Sequence, residues 1–394
     1  MTEQIGAALR LLYPDGRAVT PDSATDDFSL KSLCENNVYS LTLTPRRAGL
    51  ALAAVEYDIP LPHALTDVPE ELYIYDDSAH TNDFTSVVPY VGNETRTVYN
   101  LAVFKNLRTR KVFLCGLLTA HRFLAMFNLH DGLVTLRFDL EERELHAGEA
   151  YLLERFMVAE GTDNENVLLE AYGDAVAACN GARPDKPLPV GWCSWSCYYG
   201  NVNEEKIRRA ADGQATYTRA GESNLIQIDD GWQRCGSFCG KWVPDDTKFP
   251  SGLEATGQYV RDRGMTFGLW LAPWLLDDKS DYYGELKHLA REEATLGEHY
   301  HPFELGDPRY LAHLSATFRE MTERYGARYF KLDFLAAAIR FFNGRGDFIR
   351  FRDGFRVEVL RGALQTIRDA VGPDAFLLLC GAPTLIGAGI TDGS

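Results

Sequence analysis

The 394-residue sequence predicts a multidomain α+β chain, an antiparallel β-sandwich followed by a parallel β/α barrel. Three observations predict it. Short runs of alternating polarity, separated by turn residues, dominate the first 163 positions. The chain changes character near residue 185, in a proline-rich stretch, and beyond it continuous apolar strands alternate with helical segments. Each later strand ends in polar or aromatic residues, and barrel enzymes assemble their active sites at that face. The domains are therefore drawn as 1–163 (sandwich), 164–185 (helix and linker) and 186–394 (barrel).

The sandwich strands are read from "NVYSLTLTP", "RTVYNLAVF", "RKVFLCGLLTA" and "LVTLRFDLE". "NENVLLEAYGDAVAACNG" reads as an amphipathic helix stopped by Gly181, with Val167, Leu168, Ala171, Val176 and Ala177 as its apolar face. "ARPDKPLP", with three prolines in eight residues, is the linker. The strand "PVGWCSW" follows, then a helix capped by Asn203 with Glu204 and Glu205 in its first turn, where anionic groups meet the positive end of the helix dipole. "NLIQIDD" is the next strand. A helix through "LEATGQYVRDRG" stops at Gly264 and leads into the strand "MTFGLWLAP". The next helix starts with Asp307 as N-cap and Pro308 at its first position, runs Leu311, Leu314, Phe318 and Met321 along one face, and stops at Gly326. "ARYFKLDF", the helix "DGFRVEVLRGALQTIRDAVG" and "AFLLLCG" complete five strands. A doubly wound sheet also fits this alternation. No glycine fingerprint follows the first strand, however, and Trp192, Trp195, Asp229, Asp230, Trp270, Lys331, Asp333 and Cys380 cluster at the strand C-termini as a barrel requires.

A composition that is 45% hydrophobic and 12% aromatic buries a large core. A balance of 40 basic to 56 acidic residues, net −16, argues against nucleic acid and anionic membrane as partners, because phosphate recognition needs clustered cations. The N-terminus "MTEQIGAALRLLYPDG" lacks a basic, apolar leader, and no apolar run reaches about 18 residues, so a cytoplasmic chain with no membrane span is expected. Eight thinly spread cysteines fit reduced thiols. Cys193 and Cys197, and Cys235 and Cys239, have zinc-ligand spacing, but Trp195 and Phe238 stand inside the pairs and neither lies in a glycine-rich knuckle. They are read as residues lining strand ends and a loop, with no metal. His299 and His301 show no ligand spacing. Self-association as a homo-oligomer is left open.

Two residue groups carry chemistry. Lys331 and Asp333 are two apart on a strand, so they share a face. An ammonium there keeps the carboxylate ionised, as a nucleophile requires. Asp229 and Asp230 put two like charges at one strand end beside tryptophans. Carboxylates accept hydrogen bonds from neighbouring hydroxyls and aromatic faces stack on a pyranose, so this pattern suits a sugar.

"PVGWCSWSCYY", "IDDGWQ", "FPSGLEATGQYVRDRGMTFGLWLAP", "YFKLDF" and "LLLCGAP" stand in the order and spacing of glycoside hydrolase family 36, the melibiase group of α-galactosidases, which residues 145–394 resemble strongly. "LHAGEAYLLERFMVAEG" is similar to the end of that family's N-terminal β-supersandwich. The resemblance implies a supersandwich followed by a (β/α)₈ TIM barrel, here truncated after its fifth strand. It also implies Asp333 as the catalytic nucleophile, Lys331 on the sugar hydroxyls, Asp229 and Asp230 gripping the 4- and 6-hydroxyls of galactose, Trp192 and Trp242 as aromatic walls, and Cys380 and Gly381 opening the loop after the fifth strand. The implied reaction is retaining cleavage of a terminal α-galactoside through a covalent galactosyl-aspartate, with no cofactor.

Two departures qualify this. "CGAPTLIGAG" looks closer to the raffinose synthase and alkaline α-galactosidase branch, so transfer of galactose to another sugar is the alternative reaction. The family's general acid lies near the end of a sixth strand, which is expected beyond Ser394, and Asp392 falls too early to be that acid. An inactive chain, or a non-catalytic sugar-binding fragment, is the corresponding expectation. A rival from another class is a metal-dependent barrel hydrolase using Asp229, Asp230 and the cysteine pairs.

Overall fold

A computed structural model describes residues 9–21, 26–76, 85–182, 186–217, 219, 223–291, 299–335 and 351–394. The chain divides into two compact units, Met1–Ala182 with Phe355–Glu358, and Arg183–Gly354 with Val359–Ser394. No helix among the described residues is long and apolar enough to cross a membrane.

Among the described residues the first unit holds two large antiparallel sheets and a two-stranded pair, Leu50–Ala51 with Glu144–Leu145. One has six strands in the order Ala18–Val19, Leu9–Leu12, Ala54–Pro60, Leu133–Asp139, Leu124–His130, Arg96–Val98. The other has eight. Tyr151–Leu152, Val38–Pro45, Phe156–Thr162, Lys111–Leu117, Leu101–Asn106, Leu72–Asp76 and Ser86–Pro89 lie in that order, and Phe28–Glu35 pairs with Val38–Pro45. Strict alternation in Leu133–Asp139 buries Val134, Leu136 and Phe138 on one face. Phe138 and Tyr57 of the first sheet meet Phe156 of the second at ring separations of 6.3 and 5.6 Å, which locates the inter-sheet core.

Lys111–Leu117 is buried at every position after the first, because the helix Glu165–Asn180 covers the other face of its sheet. Asn164 caps that helix by accepting from Asn166 N–H, and Gly181 ends it at φ +61°. Its packed stripe is Leu168, Leu169, Tyr172, Ala175, Val176 and Cys179, whereas Val167, expected on the apolar face, is 61% exposed. Tyr172 enters over Gly116, where a Cβ would lie 2.4 Å from the ring, and donates its hydroxyl to Leu117 O at 2.7 Å. "RTVYNLAVF" is not one strand. It breaks after Val98, and its halves pair in different sheets.

The second unit is built on five parallel strands, β1 (Gly191–Cys193), β2 (Leu225–Ile228), β3 (Thr266–Leu271), β4 (Tyr329–Leu332) and β5 (Phe376–Leu379), which lie side by side in chain order. A doubly wound sheet reverses its strand order partway across, and this one does not. The intervening helices are α1 (Glu204–Tyr217), α2 (Leu253–Arg261), α3 (Pro308–Glu323) and α4 (Arg356–Val371). Asn203 Oδ1 accepts from Lys206 N at 3.0 Å and Asp307 Oδ1 from Arg309 N at 2.8 Å, so both expected caps form. α3 buries Tyr310, Leu314, Phe318 and Met321, and Phe318 meets Phe330 of β4 edge-on at 5.5 Å. A short antiparallel pair, Leu275–Asp277 with Tyr300–Pro302, sits between β3 and α3 and was not evident in the sequence.

Beyond β5 the chain returns to run parallel to it, with Gly393 bridged to Leu378. Asp392 there accepts from Leu377 N (2.8 Å), Arg368 (2.5 Å) and Lys186 Nζ (3.0 Å), at the N-terminal end of β5.

Candidate active site at the strand C-termini

Strand register decides which side chains meet. Cys193 pairs with Gln227, Gln227 with Gly268, and Trp270 with Lys331, so Cys193, Gln227, Trp270 and Lys331 share one face of the sheet. Two residues further along β2 and β4, just past the strand ends, Asp229 and Asp333 continue that face. The sheet ladder carries through, with Asp333 N donating to Leu271 O at 2.8 Å and Cys380 N to Leu332 O at 2.7 Å. The Asp333 and Cys380 side chains therefore hang from fixed backbone.

Lys331 stands at the centre. Its Nζ is 3.0 Å from Asp229 Oδ2 and 3.8 Å from Asp333 Oδ2. Burial pulls the Lys331 pKa down, but the Asp229 carboxylate outweighs it, with help from Cys380 and Asp333, and the ammonium is held above its usual value. Asp229, 2% exposed, also accepts from Gln227 Nε2 at 2.7 Å and from the Cys193 thiol at 3.4 Å on Oδ2, and from Asp230 N at 3.0 Å on Oδ1. Ser194 Oγ accepts its backbone N–H at 2.8 Å. Asp333 accepts the Trp270 indole N–H at 2.9 Å on Oδ2 and Phe334 N–H at 2.8 Å on Oδ1. Burial, then Asp333, pushes the Cys380 thiol up to about 12, and burial with Asp229 pushes Cys193 up to about 11, so both are neutral donors at ordinary pH.

Asp230 turns away from its neighbour. Gln233 Nε2 donates to its Oδ1 at 2.6 Å and the Ser237 hydroxyl to its Oδ2. The turn depends on Gly231, at φ +109°, where a Cβ would lie 2.6 Å from the Gly200 Cα and carbonyl oxygen. Lys248 Nζ fastens the two loops by donating to Gly200 O and Gly231 O at 3.0 and 2.6 Å.

The structure thus gathers Asp229, Lys331, Asp333 and Cys380, with Asp230 beside them on its own loop. Trp192 is one residue out of phase with Cys193 and lies on the opposite sheet face, against Tyr198 at 6.0 Å. Trp242 is buried behind Trp270 and Trp232, at 5.8 and 6.0 Å. Gly381, at φ +61°, turns the chain after Cys380. Aromatic exposure at the strand ends comes from Trp195 (40%), Tyr199 (61%) and Phe334 (40%). Phe334 and Tyr199 have φ of +57° and +49°, a region that costs side-chain-bearing residues free energy and recurs at functional sites.

Gln227 was missed in the sequence, although the two-residue spacing that pairs Lys331 with Asp333 also pairs it with Asp229. Phe334 had no signal, since its neighbours give no hint of positive φ. The cysteine pairs do not converge. Cys193 faces Asp229 and Cys197 is exposed, and among the described residues no group of three or more His, Cys, Asp or Glu is placed to hold a metal ion.

Comparison with known proteins finds relatives among α-galactosidases. Residues 172–334 match the Melibiase family model. The α-galactosidase AgaA of Geobacillus stearothermophilus is 28% identical over 145 residues, 35% of this chain and 19% of that protein. The AgaA crystal structure superposes with a TM-score of 0.70 at 14% identity, covering 98% of this chain and 63% of that one. TtGalA, an α-galactosidase from Thermus thermophilus in complex with p-nitrophenyl α-D-galactopyranoside, gives 0.64 at 21% identity, covering 93% and 73%. At these identities the structural likeness shows the fold, and the sequence match to AgaA spans about a fifth of its length.

Proposed function

We propose that this chain, which belongs through residues 172–334 to the melibiase family of α-galactosidases, binds terminal α-galactosides at the C-terminal ends of β1 to β5 and uses Asp333 as nucleophile. The observation that carries the reading is the setting of Asp333. One oxygen takes the Trp270 indole N–H at 2.9 Å with Lys331 Nζ 3.8 Å away, and the other takes the Phe334 backbone N–H at 2.8 Å, so the carboxylate is held in one orientation beside a cation. Attack on the anomeric carbon breaks the glycosidic bond, the aglycone oxygen leaves and takes up a proton, and a galactosyl-aspartate forms; water then displaces Asp333 and yields galactose with net retention. Asp230 and Lys331 supply hydrogen bonds to the sugar hydroxyls, and Phe334 and Trp195 offer exposed aromatic faces. In this reading the five strands are consecutive units of a (β/α)₈ barrel wall.

Asp392 is not the proton donor in this scheme, because Arg368 and Lys186 hold it at the N-terminal end of β5. The test therefore uses a substrate that needs no donor. A 5-fluoro-galactosyl fluoride loses fluoride unassisted, and peptide mapping should find the sugar esterified to Asp333. Clean recovery of an unmodified Asp333 peptide, with the sugar on another carboxylate or on none, would sink the assignment. A second reading, galactosyl transfer to a sugar acceptor, is favoured by "CGAPTLIGAG". Product analysis with and without added sucrose separates it from hydrolysis.

A further inference from the structure

We propose that Lys248 is a positioning residue for sugar recognition, bolting the loop after β1 to the loop after β2 and so fixing where Asp230 stands. Its Nζ donates to Gly200 O at 3.0 Å and to Gly231 O at 2.6 Å. The half-buried ammonium pairs with no carboxylate among the described residues, unlike Lys105 on Glu165, Lys186 on Asp392 or Lys241 on Glu285. A lysine head carries its donors on one point, so two carbonyls that share it are held at a fixed separation. Two carbonyl oxygens brought this close repel each other, and the cation between them turns the repulsion into attraction.

The two carbonyls belong to backbone that needs holding. Tyr199, just before Gly200, has φ +49° and ψ −141°, and Gly231 has φ +109°. A conformation of the Tyr199 kind persists only where its surroundings over-determine it. The two loops also touch, since a Cβ on Gly231 would lie 2.6 Å from the Gly200 Cα and carbonyl oxygen. Lys248 is itself firmly mounted. Asp245 Oδ1 accepts from Thr247 N at 2.8 Å and from Lys248 N at 3.3 Å, closing an Asx turn. Phe249 beside it is buried, and Lys248 O accepts from Glu204 N at 2.9 Å, at the start of α1.

What the bolt joins is the ligand-facing part of the site. Asp230 directly precedes Gly231. Gln233 and Ser237 orient its carboxylate within the loop, and Lys248 sets the loop itself. Trp195 and Tyr199, both exposed and 5.2 Å apart edge-on, ride on the other loop. Asp333 and Lys331 are held instead by Trp270, by the Phe334 N–H and by Asp229. Loss of Lys248 should therefore weaken capture of the ligand and spare the nucleophile. This consequence rests on the proposed galactoside site, whereas the fastening of the two loops does not.

The experiment compares the full chain with Lys248→Ala and Lys248→Met, each checked for folding by urea unfolding. Lys248→Met keeps the apolar stem and carries the test should Lys248→Ala unfold. Hydrogen exchange over 195–202 and over 228–236 should rise together, at least severalfold, in either variant. In labelling of Asp333 by 5-fluoro-galactosyl fluoride, the concentration giving the half-maximal rate should rise about tenfold, with the limiting rate changed by less than about twofold. n-Propylammonium replaces the atoms that Lys248→Ala removes, so it should restore capture and slow exchange in that variant but not in Lys248→Met. Tetramethylammonium, a cation without N–H donors, should restore neither. Unchanged exchange in the two segments overturns the fastening. Faster exchange with an unchanged half-maximal concentration, or a fall confined to the limiting rate, overturns the positioning role. Equal rescue by tetramethylammonium overturns the hydrogen-bonded bolt. A parent chain that is not labelled at Asp333 counts against the galactoside site and overturns the recognition role with it, and the fastening is then decided by exchange and its rescue alone.

Discussion

Gln227 Nε2 lies 2.7 Å from Asp229 Oδ2, one turn of strand alternation below it and on the same face. With Lys331 and Cys193 on the same oxygen, Asp229 spends its lone pairs on the protein. Its neighbour Asp230 accepts from Gln233 and Ser237 of its own loop. The adjacent carboxylates therefore sit in different settings, Asp229 against the Lys331 ammonium and Asp230 against Gln233 and Ser237 of its own loop.

Gln227→Leu should lower stability by about 1.5–3 kcal/mol, the worth of a hydrogen bond to a charged group. Urea unfolding measures this directly. A variant as stable as the parent would mean that the Asp229 contact contributes nothing.

Lys331→Met should cost more, about 3–5 kcal/mol, because it leaves Asp229 buried without its cation. Asp229→Asn should cost a similar amount, and the double variant should be less destabilised than the sum of the singles. Strict additivity in that cycle would contradict the pairing.

Asp230→Asn should behave differently, leaving the unfolding midpoint nearly unchanged and weakening binding of methyl α-galactoside about tenfold or more. Calorimetric titration beside urea unfolding separates the two effects. A large stability loss with intact affinity would reverse the roles of the two aspartates.

The alkaline limit of stability should be set partly by site thiols. Folded pKa values of about 12 for Cys380 and about 11 for Cys193 exceed the ordinary thiol value of 9.0. The fold thus favours the neutral thiols. Their contribution is whole below pH 9, and it is lost as pH rises through the folded values of about 11 and 12. Cys193→Ala with Cys380→Ala should flatten the fall in stability between those limits. A parallel decline in variant and parent would exclude the thiols as its source.

Gly231→Ala should destabilise by about 1–3 kcal/mol or more, since it forces a positive φ on alanine and drives Cβ into the Gly200 backbone. Its effect should extend to galactoside affinity, because Asp230 precedes the turn. Affinity unchanged in the folded variant would separate the turn from the site.

Much of this was legible in the sequence for simple reasons. Period-two spacing put Lys331 with Asp333, and the caps at Asn203 and Asp307 announced helices through short-range hydrogen bonds. What failed depended on tertiary context. Trp192 sits one residue from Cys193, and the face it takes follows from sheet register. Val167 and Leu168 are both apolar, and only the packed sheet chooses between them. "RTVYNLAVF" alternates as one strand, yet it must cross between two sheets. Phe334 holds φ +57° with its N–H on Asp333 Oδ1 at 2.8 Å, a conformation that composition does not encode.

The anchoring of Asp392 by Arg368 and Lys186 at one end of β5, with Cys380 at the other, separates two kinds of evolutionary freedom. Mutations at the anchored end act on whether the chain folds at all, and those at the Cys380 end on the proposed galactoside site. The loops after the strands can therefore be exchanged while the anchored end keeps the scaffold.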